Sequence, residues 1–491
     1  MTVDPKISGG LGGHPKGLNV LFFTEMWERF SYYGMRAILF LFMVETVKNG
    51  GLGFSQAAAG EIYGDYTMCV YLSSLPGGLI ADKLIGPRKA ILLGGIIIAL
   101  GHFTMAVQSL TTFYCGMILI VLGTGLLKPN ISTMVGRLYS PTDVRRDAGF
   151  SIYYMGINIG ATLSPLVCGY LAQDKGFQQV LVKMGLPAEC SWHFGFAAAG
   201  VGMCIGLIHL LVQYKLLDHV GERVKSGDIP ESEPQPQDKQ DSAPGAETTA
   251  AGDSIPEPSV QAQAPPAAVA EKKPFFTGDE WRKLAALGIL LLFNTLFWAV
   301  YEQGGSSLNV FADKNTQTSI FGYHFASSWL QGLQPVYVIL LAPAFSWLWI
   351  KLAERQPSSP AKFALGLLFL SLGILIMVPA ALLSAAGQVS VFFLVTVYLV
   401  ETLGELCLSP VGLSTVTKLA PRRFQSLTMA AWFVSNAIGN KMAGELSKYF
   451  ESDVPTTMAY LFGGMAAATF VAAALLFALT PKIKQLMGSV K

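Results

Sequence analysis

Charged residues are scarce in this sequence: Asp, Glu, Lys and Arg make up 13% of 491 residues, whereas hydrophobic residues make up 52%. Soluble domains contain about 25% charged residues, and a water-soluble interior would not absorb this much apolar surface. The apolar runs 90–106, 284–300 and 456–479 approach or exceed the roughly 20 residues that cross a bilayer. The composition therefore predicts an all-α integral membrane protein that crosses a lipid bilayer many times.

Recognisable catalytic and metal-binding patterns are also missing. The six cysteines are scattered, which indicates neither a disulfide framework nor a metal site. The six histidines show no metal-ligand spacing, and there is no nucleotide-binding loop or nucleophile elbow. The net charge of +2 comes without a basic cluster of the kind that binds nucleic acid. We therefore expect no enzyme activity, no metal, no cofactor and no nucleic-acid partner.

Apolar segments separated by charged residues, Gly and Pro predict twelve membrane spans in two halves. Their approximate limits are 18–46, 56–82, 90–110, 112–138, 147–173, 192–217, 281–311, 326–352, 361–386, 389–418, 424–449 and 456–480. The predicted domains are an N-terminal tail (1–17), a six-helix bundle (18–219), a linker (220–278), a second six-helix bundle (279–482) and a C-terminal tail (483–491). The linker is rich in Pro, Glu, Gln, Ala and Ser, which predicts disorder. Two such halves are typical of a transporter, and a scaffold or channel is the alternative.

Lys and Arg residues predict the orientation of these spans. They cluster after spans two, four, eight and ten, for example at Arg88, Arg145, Arg355 and Lys418. Because cytoplasmic loops carry an excess of Lys and Arg, these loops and both termini are predicted to be cytoplasmic. We expect a multi-pass protein of the cell membrane. The short connection 384–388 between spans nine and ten favours a bacterial inner membrane.

Charged side chains inside the predicted spans indicate a polar cavity. Span one has a polar face formed by Glu25, Glu28, Arg29, Tyr32 and Arg36. Spans four, seven and ten contribute Lys128, Glu302, Glu401 and Glu405. Charges at membrane depth are costly unless they face a wet cavity or a partner, so these residues should face the inside of the protein. Purely structural ion pairs are the alternative.

Cations in the first half and acids in the second would polarise this cavity. A zwitterion would place its carboxylate near Arg29, Arg36 and Lys128 and its amine near Glu302 or Glu405. An acid whose charge depends on its partner can take up a proton on one side of the membrane and release it on the other. Aromatic residues that would form adaptable walls are Tyr32, Tyr33, Tyr71, Tyr154, Trp298 and Trp432. Ordinary helix packing is the alternative for each aromatic residue.

Six segments, in order, resemble the proton-dependent oligopeptide transporters (POT), a family of the major facilitator superfamily. They are EMWERFSYYGMR (25–36), GGLIADKLIGPRKAI (77–91), FSIYYMGINIG (150–160), FWAVYEQGGS (297–306), LAPAFSWLW (341–349) and GELCLSPVGLS (404–414). The resemblance implies the major facilitator fold, with twelve transmembrane helices in two six-helix bundles. It also implies a symporter that imports di- and tripeptides with protons, its coupling ion, by alternating access.

The resemblance also implies roles for individual residues. The implied proton-coupling residues are Glu25, Glu28, Arg29, Lys128 and Glu302. The implied substrate-binding residues are Arg29, Tyr32, Tyr33, Arg36, Tyr71, Lys128, Asn158, Trp298, Glu302, Gln334, Glu405, Trp432 and Asn436. A salt bridge between Arg36 and Glu302 is expected to close the outer side. No oligomer is required for this mechanism.

The sequence departs from the family pattern at three places. Gln334 precedes Pro335 where many members have Asn, and the extra methylene is expected to alter a contact with the peptide amine. Helix 2 has Gly64 and Asp65 where animal members have a proton-linked histidine. The linker is too polar to form the two additional helices of many bacterial members. The alternatives left open are a relative carrying nitrate, an amino acid or a peptide-like drug, and a substrate sensor with little flux.

Overall fold

The computed structural model describes residues 9–140, 143, 145–221, 277–421 and 425–488. The predicted disordered linker (220–278) lies almost entirely outside these residues, so its disorder stays a prediction.

The C-terminal half begins with a capping box, in which the Glu280 backbone N–H donates to Thr277 Oγ1 at 3.2 Å and the Glu280 carboxylate accepts from the Thr277 backbone. Such a reciprocal cap satisfies otherwise unpaired N–H groups and fixes the first turn of the helix.

Helical segments occupy all twelve positions predicted as spans. In the first half they are α1 (Lys16–Val44), α2 (Gln56–Ile85), α3 (Pro87–Met105), α4 (Leu110–Arg137), α5 (Arg146–Gln173) and α6 (Ser191–Val212). In the second half they are α7 (Gly278–Lys314), α8 (Ser327–Leu352), α9 (Ser359–Ala386), α10 (Phe392–Leu419), α11 (Gln425–Ser447) and α12 (Pro455–Met487). The helix α12 continues past its predicted end at residue 480, because Ile483 and Met487 are buried against the protein.

Ten of these described helices are long and apolar enough to cross a bilayer. The other two, α1 and α11, are 29 and 23 residues long, which is sufficient in length. They are less apolar, because α1 carries charged residues in its middle and α11 is rich in Ser, Asn and Gly. Membrane crossing by α1 and α11, and therefore the count of twelve, stays a prediction.

Four very short strands and a short helix lie in the connections. The strand β1 (Thr316–Gln317) pairs in parallel with β4 (Val389–Ser390), and β2 (Ser319–Ile320) pairs antiparallel with β3 (Tyr323–His324). The strands β1, β2 and β3 lie in the connection between α7 and α8, and β4 directly precedes α10. All four are opposite the predicted cytoplasmic loops. A separate amphipathic helix, Lys175–Lys183, connects α5 and α6.

Helix packing brings the two halves together along two helix pairs. Within the first half, α1 packs against α5 and α6, and α3 packs against α4; within the second, α9 packs against α10 and α12, and α7 against α11. Between the halves, α2 packs against α11 and α5 packs against the start of α8. The contact of α2 with α11 is a backbone contact, since a Cβ atom at Gly444 would lie 2.4 Å from the Gly60 carbonyl oxygen. Only glycine permits such an approach.

Candidate functional site

Arg29 lies between two carboxylates on the buried face of α1. Its Nε is 3.3 Å from Glu25 Oε1, and its Nη2 donates to Glu28 Oε1 at 2.7 Å. The three residues are 2%, 0% and 3% exposed, in the order Glu25, Glu28 and Arg29. Glu25 Oε2 has no hydrogen-bond partner among the described residues. Two acids therefore share one cation, and because a buried unpaired charge is costly, one proton would neutralise the group.

The predicted cation on α4, Lys128, contacts an aromatic ring. Its Nζ lies 4.4 Å from the centroid of the Tyr71 ring on α2, in a cation–π arrangement. Lys128 has no ion-pair partner among the described residues. Its participation in proton coupling with the α1 acids stays a prediction.

Arg36 and Glu302 form an ion pair between the two halves, as the resemblance implied. Their side chains are 14% and 4% exposed. Arg36 Nε also donates to Tyr63 OH on α2 at 2.7 Å. The guanidinium of Arg29 lies 5.1 Å from the Tyr32 ring centroid and 5.9 Å from that of Tyr33, so both predicted aromatic residues pack beside the α1 cations.

Hydrogen bonds also join the two halves of the protein around this ion pair. Asn309 Nδ2 on α7 donates to the Ala37 carbonyl oxygen at 2.9 Å, which ties α7 to α1. At the contact between α5 and α8, Gln173 Nε2 donates to Asp313 Oδ1 at 3.1 Å and to Ser327 Oγ at 3.0 Å. The α1, α5, α7 and α8 ends are therefore joined on the side opposite the predicted cytoplasmic loops, which we call the outer side.

A second outer contact joins α2 to α11 through exposed ion pairs. Lys441 Nζ is 2.6 Å from Asp65 Oδ1, and Lys448 Nζ is 3.4 Å from Glu61 Oε2. Asp65 is one of the two residues at the position where animal relatives have histidine. Its carboxylate is 51% exposed at the side chain, so solvent screens this pair far more than the Arg36–Glu302 pair.

The C-terminal half contains a hydrogen-bonded network centred on Asn294. Asn294 Nδ2 donates to Asn436 Oδ1 at 2.6 Å and to Ser435 Oγ at 2.8 Å, and its Oδ1 accepts from Trp298 Nε1 at 3.1 Å. Two predicted residues, Trp298 and Asn436, are thus joined through Asn294, which was not predicted. The signal available was an Asn one helical turn before Trp298 in an apolar run.

The acids of α10 have neutral partners. Glu405 accepts a hydrogen bond from Tyr301 on α7, and Glu401 Oε2 accepts one from Gln334 Nε2 on α8 at 3.1 Å. The extra methylene of Gln334 was expected to alter a contact with a peptide amine; in this structure the Gln334 amide donates to Glu401. Trp432 is 3% exposed and packs against Gly412, so in this structure it is part of the bundle interior and not an open wall.

A cavity of about 1360 Å³ lies between α5, α8 and α10 and extends to their predicted cytoplasmic ends. Two predicted residues, Tyr154 and Asn158, line it from the N-terminal half. Residues lining it from the other half include Val338, Ala342, Phe345, Trp349, Leu406, Pro410, Ser414 and Lys418. Its volume exceeds the roughly 300–1,000 Å³ of drug-sized ligand pockets. With the outer side closed and this cavity present, the structure is inward-facing on the predicted orientation.

Comparisons with known proteins cover almost the whole chain. A sequence model described as the POT family matches residues 88–226 and 265–460. The uncharacterized transporter YclF of Bacillus subtilis is 40% identical, over 98% of this chain and 96% of that protein. A di-/tripeptide transporter of Lactococcus lactis subsp. cremoris is 36% identical, over 98% of each. The crystal structure of a peptide transporter POT variant in complex with alafosfalin superposes with a TM-score of 0.82 at 36% identity, over 98% of each chain.

Proposed function

This chain belongs to the POT family, and we propose that it imports di- and tripeptides together with protons by alternating access. The observation that carries the proposal is the combination of an inward cavity with an outer side closed by a buried ion pair between the halves, Arg36 with Glu302. An alternating-access carrier needs charges that hold one side shut and release it when the halves rock. Membership of the family and the transporter fold agree with the sequence predictions.

A short peptide has the charges that this site can match. Its carboxylate would approach the cations of the N-terminal half, Arg36 and Lys128, and its ammonium group would approach Glu405 and Glu302 in the other half. Cations in one half and acids in the other would fix the orientation of the bound zwitterion. Side chains of varied size would extend into the cavity, where Tyr154 and other large residues offer adaptable contacts.

Proton coupling would reside first in the α1 group. Glu25 and Glu28 share Arg29, so the buried group is short of one positive charge. A proton taken from the outer solution would supply that charge during the inward movement. Lys128, whose Nζ lies over the Tyr71 ring, is the predicted cation that would compete with this proton when the halves rearrange.

The cell membrane is the proposed location, with both termini in the cytoplasm. Three lysines, Lys362, Lys418 and Lys484, line the cavity at the helix ends assigned to the cytoplasmic side. Their placement agrees with the excess of positive residues on that side of membrane proteins. A bacterial inner membrane fits the bacterial relatives, and a single chain contains all the proposed groups, so an oligomer is not required.

A second candidate substrate class is the small amino acid-like zwitterions. A POT family transporter in complex with 5-aminolevulinic acid superposes with a TM-score of 0.79 at 29% identity, over 98% of each chain. Such a molecule also carries an amine and a carboxylate and would use the same two ends of the site. Competition by unlabelled dialanine against labelled 5-aminolevulinic acid, and the reverse, would rank the two classes.

Uptake by the purified protein tests the proposal. Liposomes containing the protein would be given labelled dialanine with an inward proton gradient, without a gradient, and with the gradient collapsed by a protonophore. We expect accumulation above the external concentration only with the gradient. Uptake equal to that of protein-free liposomes under all three conditions would contradict peptide transport, whereas equilibration without accumulation would contradict proton coupling.

Matched variants test the residues. Lys128→Ala and Glu302→Gln are expected to lose gradient-driven accumulation. Glu451→Gln makes the same carboxyl-to-amide change at an exposed outer position and is expected to behave as the wild type. Normal accumulation in both Lys128→Ala and Glu302→Gln would remove these two residues from the mechanism.

A further inference from the structure

A buried carboxyl group in the C-terminal half has no role in the contacts proposed so far. Glu401 lies in the first half of α10 and is 0% exposed. Its Oε2 accepts one hydrogen bond, from Gln334 Nε2 at 3.1 Å. Its Oε1 has no hydrogen-bond partner among the described residues, and neither does the hydroxyl of Tyr398 one turn earlier.

The described parts of the helices packed around Glu401 bring it no cation. From α9, Gly373 packs against it, since a Cβ atom there would lie 3.3 Å from Glu401 Cγ. From α8 comes the neutral amide of Gln334. The charged groups that act on it are both acids, Glu302 from α7 and Glu405 one turn along α10. In the part of the chain that the structure describes, no ion pair includes Glu401.

Two cations that the structure describes, Lys362 and Arg36, are distant from Glu401 or engaged with other groups. Lys362 is at the start of α9, 11 residues before Gly373, which is about 16 Å along a helix. Its Nζ lies 4.3 Å from the Trp349 ring centroid and donates to Gln356 Oε1 at 2.8 Å. Arg36 is paired with Glu302. A carboxylate at Glu401 would therefore be an uncompensated buried charge, which costs several kcal/mol even after relaxation.

A neutral acid avoids this cost and agrees with the observed contacts. We propose that Glu401 is a proton-binding site of the C-terminal half, occupied in this inward-facing form, and that Gln334 is its positioning residue. The proton resides on Oε1, and Oε2 is the carbonyl oxygen that accepts from the Gln334 amide. The ligand of this site is a proton taken from the surrounding water, which forms an O–H bond at Oε1 and returns to water when that bond breaks.

Charge balance gives this site a consequence for substrate binding, a step that rests on the proposed peptide transport. Among the described residues, Arg36 is the cation paired with the acids Glu302, Glu401 and Glu405, so with Glu401 ionised these groups would have an excess of two negative charges. With Glu401 protonated, the excess is one, which a single peptide ammonium group neutralises. The proton at Glu401 thus leaves one uncompensated negative charge among the acids that the peptide ammonium group would approach.

The length of Gln334 supports its positioning role. An Asn side chain is shorter by one carbon–carbon bond, about 1.5 Å. From the same backbone position its amide would not reach Glu401 Oε2 within hydrogen-bonding distance, because the Gln334 contact already measures 3.1 Å. The residue that departs from the common family pattern is therefore the one that satisfies the buried acid.

Infrared spectroscopy of the purified protein tests the proposal directly. The wild type at neutral pH is expected to show the carbonyl stretch of a protonated, buried carboxylic acid, and Glu401→Gln should remove that band. Gln334→Asn should shift the band to higher frequency, because a carbonyl group that loses its hydrogen bond vibrates at higher frequency. The wild-type and Gln334→Asn measurements do not depend on whether Glu401→Gln folds. A wild-type spectrum without the band, or a band unchanged in both variants, would overturn the proposal.

Peptide counterflow separates this proposal from that of peptide transport. Glu401→Gln keeps a side chain of the same size that cannot ionise, so exchange of labelled for unlabelled dialanine should depend less on pH in this variant than in the wild type. As the pH is raised, wild-type exchange should fall while the variant's falls less. Loss of exchange at neutral pH in a folded Glu401→Gln protein would show that the charged form is needed and would overturn the proposal. A wild type with the infrared band but without counterflow would contradict peptide transport and leave the proton site standing.

Discussion

Replacing Glu302 with Gln should open the outer side of the protein. The substitution leaves Arg36 buried between the halves without its carboxylate partner. Removing one partner of a buried ion pair costs about 3–5 kcal/mol. The lower end applies here, because Arg36 keeps its hydrogen bond to Tyr63 at 2.7 Å and is 14% exposed at the side chain. About 3 kcal/mol against the closed form corresponds to a roughly 100-fold shift toward the outward-open form.

Distances between spin labels on the outer surface measure this shift. Val47, after α1, and Phe321, between β2 and β3, are 71% and 105% exposed and lie in different halves. Both would be changed to Cys in a protein whose exposed Cys69 and Cys115 are replaced by Ser. The parent should give mainly the short distance of the closed outer side, and Glu302→Gln should add a longer distance as a major population.

The double variant Arg36→Gln with Glu302→Gln distinguishes the loss of a partner from the loss of a contact. Removing both charges leaves no uncompensated ion, so the closed form should be more populated than in Glu302→Gln alone. Glu451→Gln, the exposed control, should match the parent. Equal distance distributions for the parent and Glu302→Gln, or a double variant more open than the single variant, would refute the assigned role of the buried charge.

Three further changes test other contacts between the halves with the same labels. Lys441→Met should raise the open population at most about fivefold, because its partner Asp65 is half exposed and such pairs contribute about 1 kcal/mol or less. A shift as large as that of Glu302→Gln would contradict the inference that the exposed pair is weaker than the buried one. Gln173→Ala removes hydrogen bonds to α7 and α8 and should shift the equilibrium toward the open form by about 1–3 kcal/mol. An unchanged distance distribution would mean that the α5–α8 contact does not hold the outer side closed. Gly444→Ala places a methyl group 2.4 Å from the Gly60 carbonyl oxygen and should favour the open form and reduce dialanine uptake at least tenfold; normal uptake would show that α2 and α11 need not touch.

Charged residues inside apolar helices were the strongest predictors of this structure. Because a charge is so unfavourable in lipid, the positions of Glu25, Glu28 and Arg29 indicated a buried face on α1 before any partner was known. Their spacing predicted one polar face; in the structure Arg29 contacts Glu25, four residues before it, and Glu28, its neighbour in the chain. The family resemblance supplied the long-range pair of Arg36 with Glu302, which no local pattern predicts.

Uncharged polar partners were missed for a physical reason. Tyr63 and Asn294 are compatible with an apolar helix, so neither interrupts the pattern that predicts a span. Their importance arises from contacts with residues far along the chain: Arg36 is 27 residues from Tyr63, and Asn436 is 142 residues from Asn294. Trp432 illustrates the converse, since an aromatic residue expected to form a pocket wall packs inside the bundle in this form. Whether an aromatic residue faces a cavity depends on helix rotation, which sequence spacing does not determine.

The buried ion pair and a peptide's two charged ends provide the same charges in different states of the proposed cycle. When the outer side is closed, Arg36 and Glu302 neutralise one another. When it opens, each loses its partner and becomes available to a substrate that carries the opposite charge at each end. A peptide with both ends free would therefore compensate both groups, whereas N-acetyl dialanine or dialanine amide would compensate only one. Removing one charge from a desolvated pair costs about 2–5 kcal/mol, so each capped peptide should compete at least about 30-fold more weakly than dialanine. Equal competition by all three peptides would mean that Arg36 and Glu302 hold the outer side shut without taking part in substrate recognition.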